Sequence, residues 1–164
     1  MQQTVTYRNN GAIGALLDEY ERSIKELKSV IQNITTNDLI CIVDPDTEDE
    51  DCKSIQTVLS HVVRSGYSYV IAIRKWLGEE IAYKNRELLN SISEYNTALD
   101  MMFAYNEKLF EDYPEIKLEE YNTNNKINVR WGQQYDVEQL LEHAIVHVLR
   151  HRRQIERFIV KLKH

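Results

Sequence analysis

The sequence predicts an all-α protein, a four-helix bundle contained in one domain spanning residues 1–164. Three observations lead there. Apolar residues recur at helical spacing in four separate segments. The 164 residues hold only two prolines and five glycines, so long stretches run free of helix breakers. Residues that start or stop helices flank these segments.

The first segment runs from about Ala12 to Ile34, with Ile13, Leu16, Leu17, Tyr20, Ile24, Leu27, Ile31 and Ile34 on one stripe. Thr35-Thr36-Asn37-Asp38 then reads as a stop. The second starts at Ser54, a good N-cap, and runs to Leu77, where Gly78 suits the C-terminal cap. The third opens on Ser91-Ile92-Ser93-Glu94, a capping-box pattern, and ends before Pro114. The fourth begins near Asp136 and continues to the C-terminus. Two connections are long, residues 35–53 and 114–135, and long loops in a compact domain are often functional. Bundles of this kind hold metals between facing helices. An α-solenoid of two helix pairs would need a sequence repeat, which the chain lacks.

Composition excludes several function classes. A net charge of −6 argues against a general nucleic-acid binder, which would carry a basic footprint. The longest wholly apolar run, Tyr69 to Ile73, is far short of the ~20 residues of a membrane span. The first residues, Met-Gln-Gln-Thr-Val-Thr-Tyr-Arg, lack the basic and apolar regions of a signal peptide, so a cytoplasmic location is expected. Cys41 and Cys52 have no CxxC spacing and are expected as free thiols in that reducing compartment. The acidic run Asp44 to Asp51 is no calcium loop: counted from Asp44, Asp49 falls where an EF-hand needs Gly and Ile55 where it needs Glu. A solvated acidic loop is the expectation. Phosphate loops, GxSxG elbows and HExxH motifs are absent.

Histidine carries the chemistry. Of five in the chain, three stand four residues apart on the fourth segment, His143, His147 and His151. Imidazole is the commonest metal ligand. His147 and His151 each follow a core residue by three positions, Ala144 and Val148, which places them at the edge of the buried face. A lone pair there is more often a pair of hydrogen-bonded core histidines, but His61 on the second helix offers a third nitrogen. His61 shares a stripe with Ser65, Ser68 and Ala72, small residues that let a helix or ligand approach. Spacing favours His61 over His143 as the third ligand. Residues eight apart are ~12 Å apart along a helix, so His143 and His151 cannot easily share one ion. His164 sits at the chain end, where fraying makes a poor ligand. Three protein ligands plus water or substrate form the open arrangement of catalytic zinc and related metals.

The segment His147-Val-Leu-Arg-His151-Arg-Arg-Gln154-Ile155 resembles the HxxxH-Arg-x-Gln-Ile signature of the DinB/YfiT-like superfamily of metalloenzymes. Ile55-Gln-Thr-Val-Leu-Ser-His61 is similar to that family's segment bearing the first histidine, and Trp131-Gly132 also has counterparts. Arg153 stands where many members carry Gly, and most lack a counterpart to His143. The resemblance implies a four-helix up-down-down-up bundle, often a homodimer, with His61, His147 and His151 binding nickel, zinc or a similar divalent ion. It further implies a small-molecule substrate and a low-molecular-weight thiol, since relatives include thiol-dependent S-transferases and a thiol-using maleylpyruvate isomerase. A metal-dependent hydrolase is the second enzymatic alternative. A structural staple, a sensor or a metal-free stress-response module are the non-catalytic ones.

Overall fold

The computed structural model describes residues 6–163. Four long helices carry the fold: α1 (Gly11–Ile31), α3 (Ile55–Trp76), α4 (Ile92–Asp112) and α5 (Val137–Leu162). A short α2 (Thr36–Ile40) follows α1. The all-helical expectation holds, apart from a two-stranded ribbon before α5. No helix among the described residues is long and apolar enough to cross a membrane.

The caps set the boundaries. Ser54 accepts from the Thr57 amide, Ser91 from Glu94 and Asp136 from Gln139, each satisfying an otherwise orphaned first-turn N–H. Gly78, at φ +98°, closes α3: its N–H donates to the Lys75 carbonyl and that of Glu79 to Arg74. The expected stop at Thr35 is instead a start. Thr35 and Asp38 exchange capping-box hydrogen bonds that open α2, and α1 ends at Ile31 rather than Ile34.

The long helices close a ring in which α1 packs on α4 and α5, and α3 on the same two. Their apolar stripes meet in one core that includes Tyr20, Leu27, Ile31, Leu59, Ile73, Leu99, Met102 and Ile155. Tyr20 meets Phe103 edge-on, with ring centroids 5.8 Å apart. α3 and α4 approach so closely at Gly66 that a Cβ there would run into the Met102 thioether. Particular contacts record which ends meet. The Tyr95 hydroxyl near the start of α4 donates to the Gln56 carbonyl at the start of α3 (3.0 Å). Near the C-terminal ends of both helices, Arg74 pairs with Asp112 (2.7 Å). Arg8, just ahead of α1, pairs with Glu107 late in α4 (2.6 Å), whereas Glu26 late in α1 pairs with Arg152 of α5.

Three connections are long, not two. Residues 77–91 join α3 to α4 without any helix or strand, although Glu79 to Leu89 has a helix-compatible composition. The segment is tied along α3: Ser60 donates to the Glu87 carbonyl (2.6 Å) and Gln56 to that of Leu89 (2.9 Å). Ahead of α5, β1 (Ile127–Asn128) and β2 (Gln134–Tyr135) pair antiparallel, Ile127 opposite Tyr135. Gly132, at φ +84°, turns this hairpin, and Trp131 sits at its tip.

Candidate metal centre

The structure brings His61, His147 and His151 together at the seam between α3 and α5. One ring nitrogen from each lies within 4.8 Å of the others, and among the described residues no fourth His, Cys, Asp or Glu joins them. The Nε2 atoms of His61 and His147 face one another at 2.9 Å. His147 and His151 meet ring against ring, with centroids 4.4 Å apart, as a one-turn spacing on α5 allows. His143 stays one turn away. It stacks on Trp131 (5.6 Å, 26°) and lies 3.3 Å from the Tyr135 hydroxyl, outside the trio. His164 lies outside the described residues.

Two side chains orient the rings. His61 Nδ1 donates to the Asp51 carboxylate at 3.0 Å, and His151 Nδ1 to Gln154 Oε1 at 2.8 Å. Those bonds leave the Nε2 of both rings as the unprotonated nitrogen, as outer partners of metal-bound histidines commonly do. Asp51 is itself held by Arg64 (2.6 Å) and Arg86 (2.7 Å). Burial raises the Asp51 pKa, but its pairing with Arg86, Arg64 and His61 outweighs this and holds it below the usual carboxylate value.

The histidines are neutral at neutral pH. Burial pushes His147 down to about 2, with the nearby His151 and His61 adding to the effect. Burial also takes His151 down to about 4, against the opposing bond from Gln154. His61 is lowered for the same first reason, with Asp51 working against it. Neutral imidazole is the ligand form. One atom gives a direct test of fit: His151 Nε2 is fully buried and has no hydrogen-bond partner. A buried polar atom left unmatched is costly, and a cation in the trio would satisfy it. Three nitrogen donors, two of them pre-oriented, fit a divalent ion of the zinc type.

His61 and His147 face a cavity of about 770 Å³ whose wall includes Ser65, Ser68 and Ala72, so the small-residue stripe on α3 makes room for a ligand. Tyr69, Tyr83 and Trp131 supply its aromatic side. Tyr67 and Tyr135 do not line it: Tyr67 packs at a tilt against Tyr105, and Tyr135 bonds Gln133. A second opening of about 600 Å³ reaches His61 and His151 beside Gln154 and Cys52. Neither cysteine is paired.

Asp51 is the functional candidate that the sequence concealed. It closes the acidic run, whose other members are mostly exposed, yet its side chain is only 17% exposed. The surviving signal was position: Asp51 lies on a single 3₁₀ turn (Glu50–Cys52) that leads directly into the Ser54 cap of α3. Gln154 had a signal, three residues after His151 on the same helix face.

A helical bundle with three histidines converging across two helices, open to a cavity, defines a class of candidate metal-binding proteins. The DinB family model matches residues 1–162, and the chain belongs to the DinB family. Comparison with curated proteins found no match.

Proposed function

We propose that this protein is a divalent-metal-dependent enzyme, with His61, His147 and His151 as ligands to zinc or nickel. The observation that carries this is the buried, unpartnered His151 Nε2 on one of three neutral imidazoles whose ring nitrogens converge. The set has no fourth protein ligand among the described residues and opens on a cavity, which favours a site that admits substrate over a structural staple.

Within this class we favour a thiol-dependent S-transferase, with a metal-dependent hydrolase second. A divalent ion would lower the pKa of a coordinated thiol or water, making a nucleophile available at neutral pH. The chain's own residues do the rest. Asp51 and Gln154 hold the rings of His61 and His151 in orientation. Tyr69, packed edge-on against His147 (5.7 Å), shields one flank from water.

The same proposal includes one domain over residues 1–164, a cytoplasmic location and, as the family resemblance implies, a homodimer. It also includes the up-down-down-up helix order. In support, α3 and α4 meet start to start, α1 meets α4 in the opposite sense, and His61 early in α3 meets His151 late in α5.

Elemental analysis of untagged protein and calorimetric titration with zinc and nickel test the site. About one ion per chain is expected. No saturable uptake at pH 7.5 would remove the metal. Metal-dependent conjugation of a low-molecular-weight thiol to an electrophilic reporter tests the transferase. Equal rates with metal-free protein would remove that chemistry.

A further inference from the structure

The charge lining the large cavity calls for an occupant. Arg64, Lys84, Arg86, Arg130 and Arg150 line it, and no Asp or Glu does, in a chain whose net charge is −6. These cations come from four separate parts of the chain: α3, the 77–91 connection, the hairpin and α5. Asp51 takes up Arg64 and Arg86 in ion pairs. Lys84, Arg130 and Arg150 have no carboxylate partner among the described residues. Two of these are seated on aromatic faces instead: Lys84 Nζ is 3.8 Å from the Tyr67 ring centre, and the Arg130 guanidinium 4.6 Å from that of Tyr83. An aromatic face orients a cation without cancelling its charge.

Such a concentration of one sign in a concave, partly desolvated space draws in the opposite sign. Three neutral imidazoles would add to it, because they leave the charge of a bound dication uncompensated. The volume, about 770 Å³, is that of a small-molecule site. Its aromatic side, Tyr69 and Trp131, meets edge-on at 5.9 Å beside the histidines and offers an apolar surface to the rest of such a ligand.

We propose that this cavity binds a small molecule bearing a carboxylate or phosphate group. Lys84, Arg130 and Arg150 hold the anionic end, and the less polar part lies along Tyr69 and Trp131 toward His61 and His147. This names the substrate class of the proposed metalloenzyme; it rests on that proposal only in making the bound anion a substrate. The anion site itself is built from residues that do not ligate the metal.

The test is calorimetric titration of the full chain with succinate, inorganic phosphate and succinamide, the last an uncharged counterpart of succinate, using metal-free and zinc-loaded protein. Saturable binding of succinate or phosphate to the metal-free protein is expected, with none of succinamide. The tighter of the two anions identifies the group the cavity prefers. Lys84→Gln and Arg130→Gln should each weaken anion binding about fivefold, as for loss of one partly exposed charge pair, and the double variant more. The double variant should keep the wild-type zinc affinity. Equal binding of succinamide, unchanged anion affinity in the double variant, or no anion binding to either form would overturn the proposal. Zinc uptake without anion binding would remove this inference alone. Anion binding without zinc uptake would remove the metalloenzyme and leave the cavity as an anion receptor.

Discussion

Replacing Asp51 by Asn isolates the one carboxylate that joins the histidines to the rest of the site. The side chains are nearly the same size, so packing is kept and the charge is lost. Asp51 accepts from His61 Nδ1 at 3.0 Å and from Arg64 and Arg86 at 2.6 and 2.7 Å, with 17% of its side chain exposed. In Asp51→Asn, His61 loses the anion that makes it a better donor, and two guanidiniums lose their shared counter-charge. Removing an outer partner of a metal-bound histidine typically costs about 10- to 100-fold in affinity. At ~1.4 kcal/mol per decade this is about 1.4–2.8 kcal/mol. The two arginine pairs are about a third exposed on the arginine side, so solvent screens them, and a further loss in fold stability of only about 1 kcal/mol is expected. The assay is competition for zinc against a chromophoric chelator at pH 7.5, with Asp46→Asn as the control from the same acidic run, where the side chain is exposed. Zinc affinity in Asp51→Asn within twofold of wild type, or an equal loss in Asp46→Asn, would refute the assigned role.

Three further outcomes follow from the geometry. His61→Ala should lose zinc affinity steeply and His143→Ala should not, because His143 lies outside the converging nitrogens; chelator competition decides, and equal losses would count against His61. The metal-free protein should lose stability as pH falls from about 6.5 toward 4.5, since the unfolded chain binds protons at an ordinary histidine pKa while buried His147 and His151 resist, at about 2 and about 4. Stability from these groups is complete above about 6.5, and the slope, up to about 1.4 kcal/mol per pH unit for each, should be visible in urea midpoints and reduced in His151→Gln. Gly66→Ala should destabilise by about 1–3 kcal/mol, read by thermal unfolding, because its Cβ would displace the buried Met102 side chain.

Much of the fold was legible because two local signals coincide. In α3, the stripe Ile55, Val58, Leu59, Val62 predicts the buried face, and Ser54 and Gly78 predict its ends. The histidine trio was legible by the same periodicity: His147 and His151 share a stripe, and only His61 stands on another long helix. What escaped has no periodic signature. The 77–91 connection contains good helix formers, yet it runs along α3, tied by the Ser60 and Gln56 side chains, and local propensity does not report such tertiary contacts. Thr35-Thr36-Asn37-Asp38 was ambiguous, since capping residues that end one helix can start the next. Asp51 was hidden among seven residues of similar composition, and what sets it apart is tertiary: its burial and its contacts with His61, Arg64 and Arg86.

The third ligand comes from a different helix for a reason that also leaves the site open. Two histidines one turn apart on α5 project from the same face and converge from one side only. A third from farther along α5 would have to reach back along the axis, whereas α3 lies directly opposite and brings His61 Nε2 to 2.9 Å from His147 Nε2. With all three donors supplied by the α3–α5 seam, the side facing the 77–91 connection and the hairpin is lined by Tyr83, Lys84, Arg86 and Trp131, none of which is a metal ligand. The two segments whose course the sequence did not reveal therefore line the space that a substrate would enter. The helices determine where the nitrogens converge, and these connecting segments determine what can approach them.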